Sequence, residues 1–101
     1  MHLVQLFLPL RDNAGKPFPA ARFAAVRAEL TDAFGGVTAY QRAPVTGLWE
    51  DDETVVRDEL VLFEVMVEIL ERDWWRRYAA ELARRYRQDE ILARALPCEW
   101  L

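Results

Sequence analysis

From Glu59 to Glu68 the chain runs through Leu60, Val61, Leu62, Phe63, Glu64, Val65, Met66 and Val67, with charge at both ends and no glycine or proline. A run this rich in β-branched and aromatic residues predicts a strand in the interior of a sheet. Its two faces differ. Val61, Phe63, Val65 and Val67 form a wholly apolar row, whereas Leu60, Leu62, Glu64, Met66 and Glu68 form a row with a carboxylate at its centre. The first row predicts a face laid on a core, and the second a face that is covered without being purely apolar.

An apolar run, with both faces partly apolar so that its phase stays open, predicts a first strand over residues 2–8, stopped at Pro9, where the ladder would lose a donor. A polar loop with a turn at Asn13-Ala14-Gly15 follows. Pro19 then opens a helix, because proline fits the first helical turn. Phe23, Val26, Leu30, Ala33 and Phe34 recur at helical spacing along one side of it, and Gly35-Gly36 ends it. Residues 37–43 predict a second strand, stopped before Pro44. Gly47-Leu48-Trp49 leads into the acidic tip Glu50-Asp51-Asp52-Glu53 and then Thr54-Val55-Val56-Arg57, which reads as a hairpin extension whose return leg enters the central strand near Asp58. Asp73 is placed to N-cap a second helix with Trp75, Tyr78, Ala79, Leu82 and Tyr86 as its buried stripe. Glu81 stands four residues from both Arg77 and Arg85, a spacing that pairs charges on a helix. Residues 91–96 predict a last strand, stopped by Pro97.

Strand, helix, strand, strand, helix, strand is the order of an α+β, ferredoxin-like βαββαβ sandwich: a single domain over residues 1–101, a four-stranded antiparallel sheet and two helices on one face. The expected spatial order is fourth, first, third, second. The uncovered face would then carry Leu60, Leu62, Glu64 and Met66, joined by Leu3, Gln5 and Phe7, by Thr38, Tyr40 and Arg42, and by Leu92, Arg94 and Leu96. A face this apolar predicts a covering partner. Small ferredoxin-like domains meet that need by pairing two sheets, and the arrangement resembles the dimeric α/β barrel group, whose members enclose a cavity at the sheets. That resemblance implies a homodimer. A second resemblance is local: Phe34-Gly35-Gly36-Val37-Thr38, then Gly47-Leu48-Trp49 and a strand opening at Glu59, is similar to small bacterial proteins of unknown function.

Composition narrows the function classes. With 13 basic and 17 acidic residues the net charge is −4, which argues against a nucleic-acid binder that works by neutralising phosphates. No apolar run reaches the roughly 20 residues that span a bilayer, and the N-terminal segment lacks the pattern of a signal peptide. Cys98 is the single cysteine, so an internal disulfide is impossible and a reducing, cytoplasmic setting is the default. The arginine-rich, alanine-rich chain with Lys16 as its one lysine suggests a bacterial genome rich in G and C.

The candidate ligand-contacting residues are Gln5, Tyr40, Arg42, Trp49, Glu64 and Arg94. Glu64 reads either as a general acid or base on an apolar face or as the ion-pair partner of Arg42. Trp49 reads either as a functional aromatic or as cover at the sheet edge. Trp74 reads either as a cap on the stripe of the second helix or as an interface residue. His2, the sole histidine, reads as a surface residue, and Cys98 as an inert thiol. No spacing of His, Cys, Asp and Glu matches a metal site, and no cofactor motif is present. Six arginines between Arg72 and Arg87 give the second helix a basic side that reads as a solvated face. The reading is a small cytoplasmic homodimeric binding or structural domain, associating through the open sheet face. The alternative is a cofactor-independent binder of, or enzyme for, a small organic ligand, with Gln5, Tyr40, Arg42 and Glu64 supplying polar contacts.

Overall fold

Alternation along the first strand sorts its side chains cleanly. In the computed structural model, β1 (His2–Pro9) turns Val4, Leu6 and Leu8 into the interior, while Leu3, Gln5 and Phe7 on its other side are half-buried. The structure describes the backbone of residues 1–35, 38–42, 49–51, 54–56 and 59–101, and the side chains of residues 1–35 and 59–101. Its further elements are α1 (Ala20–Phe34), β2 (Thr38–Arg42), β3 (Trp49–Asp51), β4 (Thr54–Val56), β5 (Leu60–Val67), α2 (Arg72–Arg85) and β6 (Leu92–Pro97).

The larger sheet has the order β2-β5-β1-β6, and each neighbouring pair is antiparallel. A separate sheet pairs β3 with β4, Trp49 standing opposite Val56 and Asp51 opposite Thr54. The six-element ferredoxin-like βαββαβ sandwich expected from hydropathy is therefore corrected: the chain is a small α+β fold whose described residues form eight elements in two sheets. Residues 49–56 do not lengthen β2 and β5. Their three-residue strands satisfy each other in a ladder of their own. Trp49, expected in a loop, opens β3. Residues 52 and 53 of the acidic tip lie outside the described residues, as do the glycines Gly36 and Gly47 of the local resemblance.

Both helices lie on the sheet face that carries Val4, Leu6, Leu8, Val61, Phe63, Val65 and Val67. Val26 and Leu30 of α1 and Trp75, Tyr78 and Leu82 of α2 close the core against that row. Helix α1 begins after Pro19 and ends at Gly35, whose φ of +79° is the left-handed cap that costs glycine least. Of its expected stripe Val26 and Leu30 are buried, Phe23 and Phe34 half-buried, and Ala33 exposed. Helix α2 starts at Arg72 with Glu71 as its cap residue, so Asp73 is not the N-cap but a first-turn acid. There it still favours the helix through the dipole and sits 3.4 Å from Arg76.

The two helices are tied together at their outer side. Arg85 donates from two nitrogens to the Glu29 carboxylate, Nη2 reaching Oε2 at 2.8 Å, and from Nε to Glu81 at 3.1 Å. Arg84 Nε donates to Glu81 at 3.0 Å, so Glu81 holds Arg84 and Arg85 rather than Arg77 among the described residues. The hydroxyl of Tyr78 adds a 3.4 Å hydrogen bond to Glu29. These arginines hold Glu29 below the usual carboxylate range and Glu81 down to about 2.

Candidate functional site

The face turned away from the helices is organised by register. Gln5 stands opposite Glu64 on one side and Arg94 on the other, and Thr38 stands opposite Glu64 on β2. A single polar row therefore crosses the sheet as Arg94, Gln5, Glu64 and Thr38. Three of its side chains are connected: Arg94 Nε donates to Gln5 Oε1 at 2.7 Å, and Gln5 Nε2 donates to Glu64 Oε2 at 2.9 Å. The amide thus relays between a cation and a carboxylate that are two strands apart, about 10 Å at the usual strand spacing. The guanidinium carbon of Arg94 also lies 5.1 Å from the centre of the Phe7 ring, a cation–π distance.

Apolar rows flank this polar one. Two residues along the strands, Leu92, Phe7 and Leu62 stand in line; two residues the other way, Leu96, Leu3 and Met66 do. The phase of the first and last strands, which the hydropathy of either face left open, is settled by these pairings. Leu92 is 57% exposed, Leu96 39% and Met66 38%. The other exposed large apolar residues described are Met1, Ile69, Trp100 and Leu101, which belong to no strand or helix. Leu62 is buried on this face, apart from the main core cluster. Among the described side chains of this face, the exposed large apolar ones are therefore Leu92 and Leu96 on β6 and Met66 on β5.

Of the six candidate site residues, Gln5, Glu64 and Arg94 are brought into one bonded row. Tyr40 and Arg42 stand on β2 opposite Leu62 and Leu60, and Trp49 stands on β3; their side chains lie outside the described residues. The register places Thr38 rather than Arg42 across from Glu64, and the described partner of Glu64 is Gln5. Hydropathy did not single out Phe7 as a partner for Arg94. The signal that could have found it is the cross-strand diagonal between an arginine and an aromatic ring, which needs the register of β1 and β6 first.

Other candidates resolve more simply. His2 is half-buried, and its Nδ1 is a buried atom with no hydrogen-bond partner among the described residues, so the surface reading is corrected. It pairs with Val67 and Pro97 on the helix-covered side of β1, as alternation with Val4 requires. Trp74 packs edge-on to Phe34 at 4.9 Å and stacks near Tyr78 at 5.1 Å, so it caps the aromatic stripe. Among the described residues no group of three His, Cys, Asp or Glu side chains is placed to hold a metal ion. No helix among the described residues is long and apolar enough to cross a membrane.

Three clefts are lined by described side chains. One of about 520 Å3 runs between α2 and β6, floored by Trp75, Ala79, Ala83 and Ala93. A second of about 550 Å3 lies at the Phe7–Leu92 end of the sheet, rimmed by Arg11 and Glu59, which pair at 3.2 Å. The third, about 470 Å3, lies between α1 and the helix-facing side of β5 at Phe63. Gln5 and Glu64 line none of these three. The chain matches no family model, no curated protein and no solved structure.

Proposed function

We propose that this chain is a self-associating binding or structural module whose open sheet face seats a second copy of itself. The observation that supports this reading most directly is the concentration of exposed Leu92, Leu96 and Met66 on one sheet face around a bonded polar row. Exposed apolar side chains gathered on one face mark interaction sites. Burial of such side chains on association contributes about 25 cal/mol per Å2 of apolar area removed from water. The reading of this face as the wall of a small-ligand pocket has less support. Such a site needs convergent polar groups in a concavity, whereas the described polar side chains of this face, Arg94, Gln5 and Glu64, are bonded to one another in a row along the sheet.

Absolute mass by light scattering across a hundredfold dilution series tests the proposal. The expected result is twice the mass of the chain, persisting at the lowest concentration. Leu96→Asp places a charge on the exposed face without touching the core, and is expected to halve the measured mass while leaving the thermal midpoint of the monomer's core intact. A wild-type chain that stays monomeric throughout the series overturns the proposal.

A further inference from the structure

The polar row that crosses the open face has a positive end and a negative end, and this polarity restricts how a second copy can sit. Resting on the self-association reading, we infer that Arg94 of each copy docks on Glu64 of the other, about a two-fold axis that runs along β1 and passes over Gln5. Two sheets can meet face to face through a two-fold axis lying between them. If that axis runs across the strands, each residue of the polar row meets its own copy, so Arg94 faces Arg94 and Glu64 faces Glu64. If it runs along the strands, the row is reversed end for end, and each Arg94 faces a Glu64. Only the second arrangement is electrostatically complementary.

The apolar rows do not make this choice. An axis along the strands stacks the Phe7 row on the Phe7 row and the Leu3 row on the Leu3 row, while an axis across them stacks one on the other. All of these are contacts between apolar side chains, so the charges decide. Gln5 fits the position at the axis. Its Oε1 accepts from Arg94 and its Nε2 donates to Glu64, which leaves the amide one further N–H and one further lone pair. Two amides related by the axis can exchange those groups reciprocally. Both axes keep the strands of the two sheets aligned, as twisted sheets packed face to face at roughly 30° require, so the choice between them rests on the charges. A polar set at the centre of an apolar seam commonly fixes register rather than adding affinity, and register is what this row supplies.

Charge reversal reads the inference directly, on the full chain. Arg94→Glu and Glu64→Arg each place like charges across the seam, and each is expected to raise the dimer dissociation constant by at least about a hundredfold. Mixed in equal amounts, the two variants become complementary to each other, and a heterodimer of near wild-type affinity is expected by native mass spectrometry. The double variant with both reversals in one chain restores the homodimer by the same rule. Circular dichroism on each variant alone confirms the fold, and recovery in the mixture shows that both partners are folded. If the wild type dimerises but the single reversals remain dimeric, or the mixture binds no better than its components, the inferred axis is wrong while self-association stands. A wild type that is monomeric across the dilution series removes both.

Discussion

Single residues carry several opposing terms here, and Tyr86 shows them most clearly. Its ring is packed edge-on to Phe18 at 4.9 Å and against Phe23 at 5.4 Å. Yet its hydroxyl is buried with no hydrogen-bond partner among the described residues. Burial pushes the phenol up to about 12. An unsatisfied buried hydroxyl costs about 1–3 kcal/mol, more than a ring loses when the oxygen goes. Tyr86→Phe is therefore expected to leave stability unchanged or raise it by about 1 kcal/mol, seen as a urea midpoint that does not fall. Gly35 is the opposite case. Nothing lies within 4 Å of where a side chain would project, so space is not the constraint, but φ is +79°. A left-handed backbone costs an L-residue about 1–2 kcal/mol. Gly35→Ala is expected to lower the free energy of unfolding by about 1 kcal/mol, measured by chemical denaturation.

At the scale of elements, the tie between α1 and α2 gives acid stability a definite window. Glu29 is held below its ordinary value of 4.5 chiefly by its hydrogen bonds from Arg85, and Glu81 is lowered to about 2 by Arg84 and Arg85. A carboxylate whose pKa is lower folded than unfolded stabilises the fold fully above the unfolded value, and this is lost as pH falls through the folded value. The contribution of Glu81 should thus be complete above about pH 4.5 and disappear as pH approaches 2, and that of Glu29 is likewise lost as pH falls below 4.5. Glu81→Gln is expected to flatten the slope of thermal midpoint against pH across that window, measured by calorimetry at matched salt. The positions of α1, β5 and α2 are legible in the chain because one periodicity dominates each, as when Val61, Phe63, Val65 and Val67 can only face a core together; β1 is legible as an apolar run, though not its phase. Helix starts are less legible. Asp73 is the better capping side chain, but Glu71 takes the position without a side-chain bond, so packing of Trp75 and Tyr78 outweighs the cap. The pairing of β3 with β4 is legible from the acidic tip as a hairpin, but its separation from the main sheet is not, because three-residue strands are too short to show a period that would place them.

For the molecule as a whole, the site is a property of register, and register is invisible until strands are paired. Gln5, Glu64 and Arg94 are separated by up to 89 residues, and nothing in their spacing marks them as one bonded row. Hydropathy could place each on the less apolar side of its own strand. It could not choose among the partners of Glu64, since a two-residue slip of β2 would exchange Thr38 for Tyr40 at the same face. The half-burial of His2 was missed because a strand's first residue shares the alternation of its neighbours, whatever its polarity.

The pairing of β1 with β6 joins residues 2–7 to residues 92–97. During synthesis, then, the strand made first is among the last to be completed on both sides. Its hydrogen bonds toward β5 can form once residues 60–67 are available, but its other edge stays bare until residues 92–97 follow. Closing a loop that long slows the search for native contacts, and an uncovered edge in that interval is open to pairing with another nascent chain. The protein most exposed to aggregation is therefore the one a few residues short of β6, however well its core has already formed.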